Sequence, residues 1–113
     1  MRLWMVGIPL LITCGAALAQ VSLTPSGHYA ALSFRTDGGK PLEARDGIWY
    51  VDRHRFDQPQ LHVYIAPGTH SVGWLCPGFM AADDYASIEY AFLPGNNYEM
   101  VCGEKGPVIT EAP

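Results

Sequence analysis

The sequence predicts an all-β domain, a small antiparallel β-sandwich of about seven strands. Turn signals built on Gly and Pro recur every 8 to 15 residues, and the runs between them are rich in aromatic and β-branched residues. No window of twelve residues shows the spacing of an amphipathic helix. The predicted strands are 28–36, 47–53, 60–66, 70–76, 86–93, 97–102 and 106–110, with 40–45 as a candidate for a further short edge strand.

Length and composition narrow the classes of function. The chain has 113 residues, a formal net charge of −4 and an apolar fraction of 49%. This length allows one small domain, and this composition excludes a disordered chain. The acidic balance and the scattered cations argue against a nucleic-acid ligand and against a basic membrane-surface binder.

The N-terminus has the pattern of a secretory signal peptide. Arg2 precedes an apolar run at 3–13, and the small-x-small end Ala17-Leu18-Ala19 follows. The apolar run is shorter than the roughly 20 residues that span a bilayer. We therefore expect cleavage of residues 1–19, which leaves one periplasmic or secreted domain at 20–113 and no transmembrane segment in the mature chain.

Cys14 leaves an alternative open, because an apolar run that ends in Cys is also typical of a bacterial lipoprotein signal. Thr13 stands where that signal prefers Gly, Ala or Ser. The favoured interpretation is that Cys14 is discarded with the signal peptide, and the alternative is a lipoprotein anchored through Cys14.

Alternation sorts the predicted strands into a buried and an exposed face. The predicted buried sets are Leu61, Val63 and Ile65; Val72, Trp74 and Cys76; Ile88, Tyr90 and Phe92; and Tyr98, Met100 and Cys102. Both cysteines of the mature chain are in phase with a buried face. Since an even pair in an exported protein indicates a disulfide, we expect a Cys76–Cys102 bridge.

Two Pro-Gly pairs predict tight turns. In Pro67-Gly68 and Pro94-Gly95, Pro presets φ at the first central position and Gly accepts the positive φ of the second. Loops of this length usually join antiparallel neighbours. We therefore expect one hairpin between 60–66 and 70–76, and a second between 86–93 and 97–102.

The runs LHVYIAPGTHSVGWLCPGF and IEYAFLPGNNYEMVC resemble small bacterial exported proteins and lipoproteins with a PEGA-like, immunoglobulin-like β-sandwich. GIWYVDRHRF is similar to the strand–Val-Asp-turn–strand hairpin of these proteins, although Arg53 replaces the usual Gly. The resemblance covers about residues 47–102 and rests on structural motifs. It implies a non-catalytic module of the cell envelope.

The residue pattern indicates neither a catalytic nor a metal site, and no cofactor is expected. His28, His54, His62 and His70 lack the short spacings of zinc ligands, and no serine lies in a nucleophile elbow. Adjacent loop carboxylates such as Asp83 and Asp84 are typically solvated. We interpret His70 as a turn-flanking residue that hydrogen-bonds the loop backbone.

One segment combines charge with aromatic residues and is the candidate contact surface. Arg and aromatic side chains are favoured at interface hot spots, although a solvated hairpin tip has the same composition. Trp49 belongs either to this surface or to the core. The candidate contact residues are Trp49, Asp52, Arg53, His54, Arg55 and Phe56.

The sequence thus favours a non-enzymatic envelope module that acts through protein contact or as a structural accessory. One alternative is an inhibitor or immunity-type protein for a secreted or envelope hydrolase or toxin. Another is a glycan-binding module that uses Trp49, Tyr64 or Tyr85. The expected partner is another envelope or secreted protein, and the 77–85 connection is the second candidate contact surface.

We expect mass spectrometry of the protein from its native host to find an N-terminus at Gln20 without acyl mass, because cleavage follows the small-x-small site. An N-terminal diacylglyceryl-Cys14 would contradict this expectation and would place the protein on a membrane by a lipid anchor.

Overall fold

The computed structural model describes residues 20–38, 41–77, 86–103 and 106–112. In these ranges the chain is all-β, as predicted, with nine strands and no helix. The described residues therefore contain no helix that could cross a membrane. The predicted signal peptide, with Cys14, lies outside the described residues. The strands are β1 Val21–Ser22, β2 Ala30–Thr36, β3 Gly47–Val51, β4 His54–Gln60, β5 His62–Ile65, β6 Gly68–Leu75, β7 Ala86–Phe92, β8 Asn97–Gly103 and β9 Gly106–Glu111.

The strands form two sheets. The five-stranded sheet has the order β1-β5-β2-β8-β9, and the four-stranded sheet has the order β4-β3-β6-β7. Most neighbours are antiparallel, but β2 and β8 are parallel, from Ala31 opposite Asn97 to Thr36 opposite Cys102. Since a parallel pair needs a long connection, this pairing brings distant parts of the chain together.

The two sheets share one hydrophobic core, to which the predicted buried faces of β6 and β8 both contribute. Val72 and Met100 are fully buried, and each lies in phase with a cysteine of its strand. Among the predicted buried residues, Ile88 and Tyr90 are only partly buried and pack against the core, and Leu61 is 48% exposed. β5 begins only at His62, so Leu61 lies in the connection before the ladder.

Both predicted hairpins are wrong. β5 belongs to the five-stranded sheet and β6 to the four-stranded sheet, and β7 and β8 are divided in the same way. At Pro94-Gly95 the structure has the predicted turn, with a positive φ of 70° at Gly95, whereas Gly68 also has a positive φ but is already the first residue of β6. A turn does not decide which sheet receives the returning strand, however. Here β5 and β6 lie in different sheets, as do β7 and β8, and the apolar face of each strand is directed to the shared core.

The edges of the sheets also differ from the predicted elements. Residues 41–45 form no strand. Instead the Asp46 N–H donates to the Glu43 carbonyl (3.0 Å), and the Glu43 N–H donates to Asp46 Oδ2 (2.8 Å), which closes a turn before β3. Two strands are not among the predicted strand ranges: β1, which has only two residues, and β4, whose polar sequence contains Pro59. Both lie at sheet edges, where polar residues and Pro are tolerated. The hairpin that the resemblance implied for GIWYVDRHRF is nevertheless present, as the antiparallel pair of β3 and β4.

The structure pairs Cys76 with Cys102, with Cα atoms 5.8 Å apart. Cys76 follows the last residue of β6, and Cys102 lies in β8. The disulfide therefore joins the two sheets. Both residues are buried, in agreement with the predicted phase.

We expect the double variant Cys76→Ala, Cys102→Ala to unfold about 10 °C or more below the wild type. A bridge between residues 26 apart is worth about 3–4 kcal/mol in the chain-entropy account, and each kcal/mol shifts the Tm of a small domain by roughly 4–8 °C. Thermal unfolding followed by circular dichroism measures the difference. Reductant should lower the wild-type Tm to that of the variant and leave the variant unchanged. Equal Tm values for oxidised wild type and variant would refute the bridge as a stabilising link.

Candidate functional site

The tip of the β3–β4 hairpin is tied to β6 through Asp52. Asp52 has a positive φ of 54°, a conformation that Asp tolerates better than most residues. Its backbone N–H donates to the Ser71 carbonyl (2.7 Å), and the Ser71 N–H donates to Asp52 Oδ1 (3.0 Å). The hairpin tip is thus fixed to the neighbouring strand by both the backbone and the side chain of Asp52.

His70 completes this attachment from the buried side. Its side chain is only 5% exposed, with Nδ1 2.5 Å from Asp52 Oδ2. The other ring nitrogen, Nε2, donates to the Ala66 carbonyl (2.7 Å), so the prediction that His70 binds the loop backbone is confirmed. A carbonyl only accepts, so Nε2 carries a proton. The other ring nitrogen, Nδ1, faces the Asp52 carboxylate.

The environment of Asp52 lowers the pKa of its carboxyl below the ordinary value. Burial acts in the opposite direction and is the largest single influence, since it disfavours the charged form. The Ser71 N–H, the hydrogen bond from His70 and the charge of His70 together outweigh it. Asp52 is therefore held as a carboxylate by the groups that fix the hairpin.

The predicted contact segment divides into exposed and structural residues. Arg53, His54 and Arg55 are exposed, whereas Phe56 is only 8% exposed and joins the core cluster. The His54 ring packs edge-on to Phe56, with centroids 5.1 Å apart. The tip therefore presents two guanidinium groups and an imidazole to solvent, beside the Asp52 side chain, which is 36% exposed.

Trp49 lies in β3, at a bulge between Ile48 and Tyr50. It is half-buried, and its Nε1–H donates to the Arg45 carbonyl (2.8 Å). This hydrogen bond ties the indole to the turn before β3. Trp49 thus anchors the base of the hairpin, whereas Asp52 anchors the tip.

A second cluster of polar side chains, whose proximity was not predicted, lies on the five-stranded sheet. His62 Nδ1 is 2.9 Å from Ser33 Oγ, and His62 Nε2 is 3.0 Å from the Tyr64 hydroxyl. Arg35 and Glu99 form an ion pair at 3.4 Å on the neighbouring strands. The predicted hairpin between 60–66 and 70–76 would have placed His62 near Gly73, but β5 pairs with β2 and not with β6.

The outer-face position of Ser33 and Tyr64 follows from the alternation of their strands, but their proximity follows only from the pairing of β2 with β5. Tyr64 is one of the aromatic residues considered for glycan binding. Tyr85, Asp83 and Asp84 lie outside the described residues.

Among the residues that the structure describes, no group of three or more His, Cys, Asp or Glu side chains is arranged to hold a metal ion.

Comparison of the chain with protein-family models, with curated proteins and with solved structures finds no match.

We expect the Asp52 attachment to stabilise the fold above about pH 4 and to be lost in acid. A carboxyl with a lowered folded-state pKa contributes fully above its unfolded pKa, and the contribution disappears as the pH falls through the folded value. Asp52→Asn keeps the side-chain shape and tolerates positive φ. The Tm of the wild type should therefore exceed that of Asp52→Asn at pH 5 to 7, and the two should converge below pH 4.

The exposed Asp37→Asn provides the charge-matched control, and its Tm should stay near that of the wild type at pH 5 to 7. A difference between wild type and Asp52→Asn that persists unchanged to pH 2.5 would show that ionisation of Asp52 plays no part.

Proposed function

We propose that the chain is an exported, non-enzymatic β-sandwich module, immunoglobulin-like or PEGA-like, that acts by contact with another envelope or secreted protein. Two sheets over one core with a disulfide between them are an arrangement that immunoglobulin-like domains use. A disulfide supports export, because such bonds persist in oxidising compartments.

The observation that carries the proposal is the fixed hairpin tip. Asp52 holds the turn against β6 with its backbone and both carboxylate oxygens, and Arg53 and Arg55 are exposed on either side of His54. A preorganised surface loses less conformational entropy when it binds. The tip is therefore suited to recognition rather than only to reversing the chain.

The charge of the tip indicates the chemistry of the partner. Guanidinium groups form paired hydrogen bonds with carboxylates, which makes an acidic partner surface the expected one. The chain itself has a net charge of −4. Long-range repulsion thus opposes an acidic partner, so the attraction is local and weakens when salt screens it.

We expect a photo-crosslinking residue at position 54 to capture a partner that the same residue at Thr110, on the other sheet, does not capture. With that partner purified, Arg53→Ala, Arg55→Ala should weaken binding by at least about 1–2 kcal/mol, the range for interface residues that matter. Arg35→Ala is the control, since it removes a cation from the five-stranded sheet. Calorimetry measures all three affinities.

Equal affinity of the double variant and the wild type would place the contact elsewhere and overturn the proposal. If the captured partner is a hydrolase or a toxin, its activity titrated against the chain tests the inhibitor alternative. An inhibitor should abolish that activity at a one-to-one ratio, whereas an accessory module should leave it unchanged.

A further inference from the structure

The outer face of the five-stranded sheet carries three side chains that are joined by hydrogen bonds. His62 and Tyr64 face outward from β5, and Ser33 faces outward from β2, opposite His62. His62 Nδ1 lies 2.9 Å from Ser33 Oγ, and His62 Nε2 lies 3.0 Å from the Tyr64 hydroxyl. The imidazole therefore links a serine hydroxyl to a phenol, and we call these three residues the hydroxyl–imidazole chain.

This chain offers a ligand both a donor and an acceptor, whichever way its hydrogen bonds run. A neutral imidazole donates from one nitrogen and accepts at the other. One hydroxyl therefore gives its proton to His62 and keeps lone pairs, whereas the other accepts from His62 and keeps its proton for an outside acceptor. Ligand hydroxyl groups both donate and accept, so they match both ends. A carboxylate only accepts and an ammonium only donates, so each matches only one end.

The formal charges on this face cancel. Among the outward residues of the described strands of this sheet, only Arg35 on β2 and Glu99 on β8 carry a formal charge, and they form an ion pair at 3.4 Å. Glu111 is exposed at the end of β9, where its carboxylate accepts from Asn96 Nδ2 (2.6 Å), and the exposed Asp37 follows β2 beyond Arg35. The face beside the hydroxyl–imidazole chain therefore favours an uncharged, polar ligand.

A small residue leaves room beside the Tyr64 ring. Ala31 lies opposite Tyr64 in the pairing of β2 with β5, and opposite Asn97 in the pairing of β2 with β8. The Cβ atoms of directly opposed residues on antiparallel strands are about 4.5–5.5 Å apart, so a methyl group at position 31 leaves a shallow depression next to the half-buried phenol. Asn97 is exposed on the other side and adds an amide. A sugar ring combines apolar C–H groups, which pack on an aromatic ring, with hydroxyl groups at its edge.

We propose that this face binds a neutral β-1,4-linked glycan, with one sugar ring above Ala31 beside Tyr64 and its hydroxyl groups on the hydroxyl–imidazole chain. The donor and acceptor pattern, the cancelled charge and the room beside the ring all favour such a ligand. A β-1,4-linked chain is an extended ribbon, which suits the face of a sheet better than the curved chain of an α-1,4-linked glucan. The proposal does not depend on the contact function of the hairpin tip, because the tip belongs to the other sheet.

The test uses the full mature chain, with cellohexaose and chitohexaose as the extended glycans and maltohexaose as the curved control. Nuclear magnetic resonance follows the ring C–H signals of His62 and Tyr64. Both extended glycans should shift these signals until they saturate, and maltohexaose should shift them much less. The affinity should be the same at low and high salt, because the ligand is uncharged, whereas protein contact at the hairpin tip should weaken with salt.

Variants of the two hydroxyl groups test the chain. Tyr64→Phe removes the phenol hydroxyl and keeps the ring, and it should weaken glycan binding about twofold to tenfold, the range for one neutral hydrogen bond. Ser33→Ala should have a similar effect. The double variant should lose less than the product of the two factors, because both hydroxyl groups act through His62. Tyr90→Phe and Ser87→Ala make the same changes on the four-stranded sheet and should leave the affinity unchanged.

Unmoved His62 and Tyr64 signals with both extended glycans would overturn the proposal, and so would equal affinity of Tyr64→Phe, Ser33→Ala and the wild type. If the same signals shift with protein concentration alone, the face is an interface between copies of the chain and the glycan assignment fails. If the hydroxyl variants do not fold, Ala31→Leu decides, since it fills the depression and leaves the chain intact; undiminished binding by that variant refutes the site. The crosslinking experiment at position 54 tests the contact function independently of all these outcomes.

Discussion

The disulfide between Cys76 and Cys102 fixes β6, the strand that supports the candidate contact surface. It joins the end of β6 to the other sheet, and the inward side chains of β6 lie in the shared core. The same strand supplies His70 and the Ser71 backbone, which hold Asp52, and Gly73, across which Tyr50 lies. A displacement of β6 would therefore be transmitted both to the tip of the β3–β4 hairpin and to its outer face.

Much of the fold could be predicted because burial imposes a period of two on a strand. In β6 and β8 that period is clear, and it placed Cys76 and Cys102 on inward faces, as the structure has them. The pairing of strands could not be predicted in this way. A Pro-Gly turn has the same sequence whether the next strand joins the same sheet or the facing one, so both predicted hairpins were wrong. The period of two did not indicate β4, because an edge strand with a polar sequence and Pro59 carries no such period, and only the hairpin resemblance of GIWYVDRHRF implied a strand there.

The candidate site could be predicted only as a segment. Its composition drew attention to residues 52–56, but composition does not distinguish a carboxylate that binds a partner from one that holds a turn. Asp52 faces His70, 18 residues further along the chain, and Phe56 faces the core. The packing of the Tyr50 ring across Gly73 could not be predicted either, since it depends on which residue of the neighbouring strand lies opposite the glycine.

The attachment of Asp52 and the charge of the hairpin tip depend on each other. In an acidic chain, a locally positive surface requires that nearby carboxylates be neutralised or directed elsewhere. The hydrogen bonds from Ser71 and His70 do this for Asp52, the acidic residue next to Arg53, by drawing its charge toward the partly buried side of the turn. If those bonds were lost, the Asp52 carboxylate, whose side chain is already 36% exposed, would be free to turn toward Arg53 and compete for its guanidinium. The interaction that stabilises the turn therefore also directs the Asp52 carboxylate toward β6.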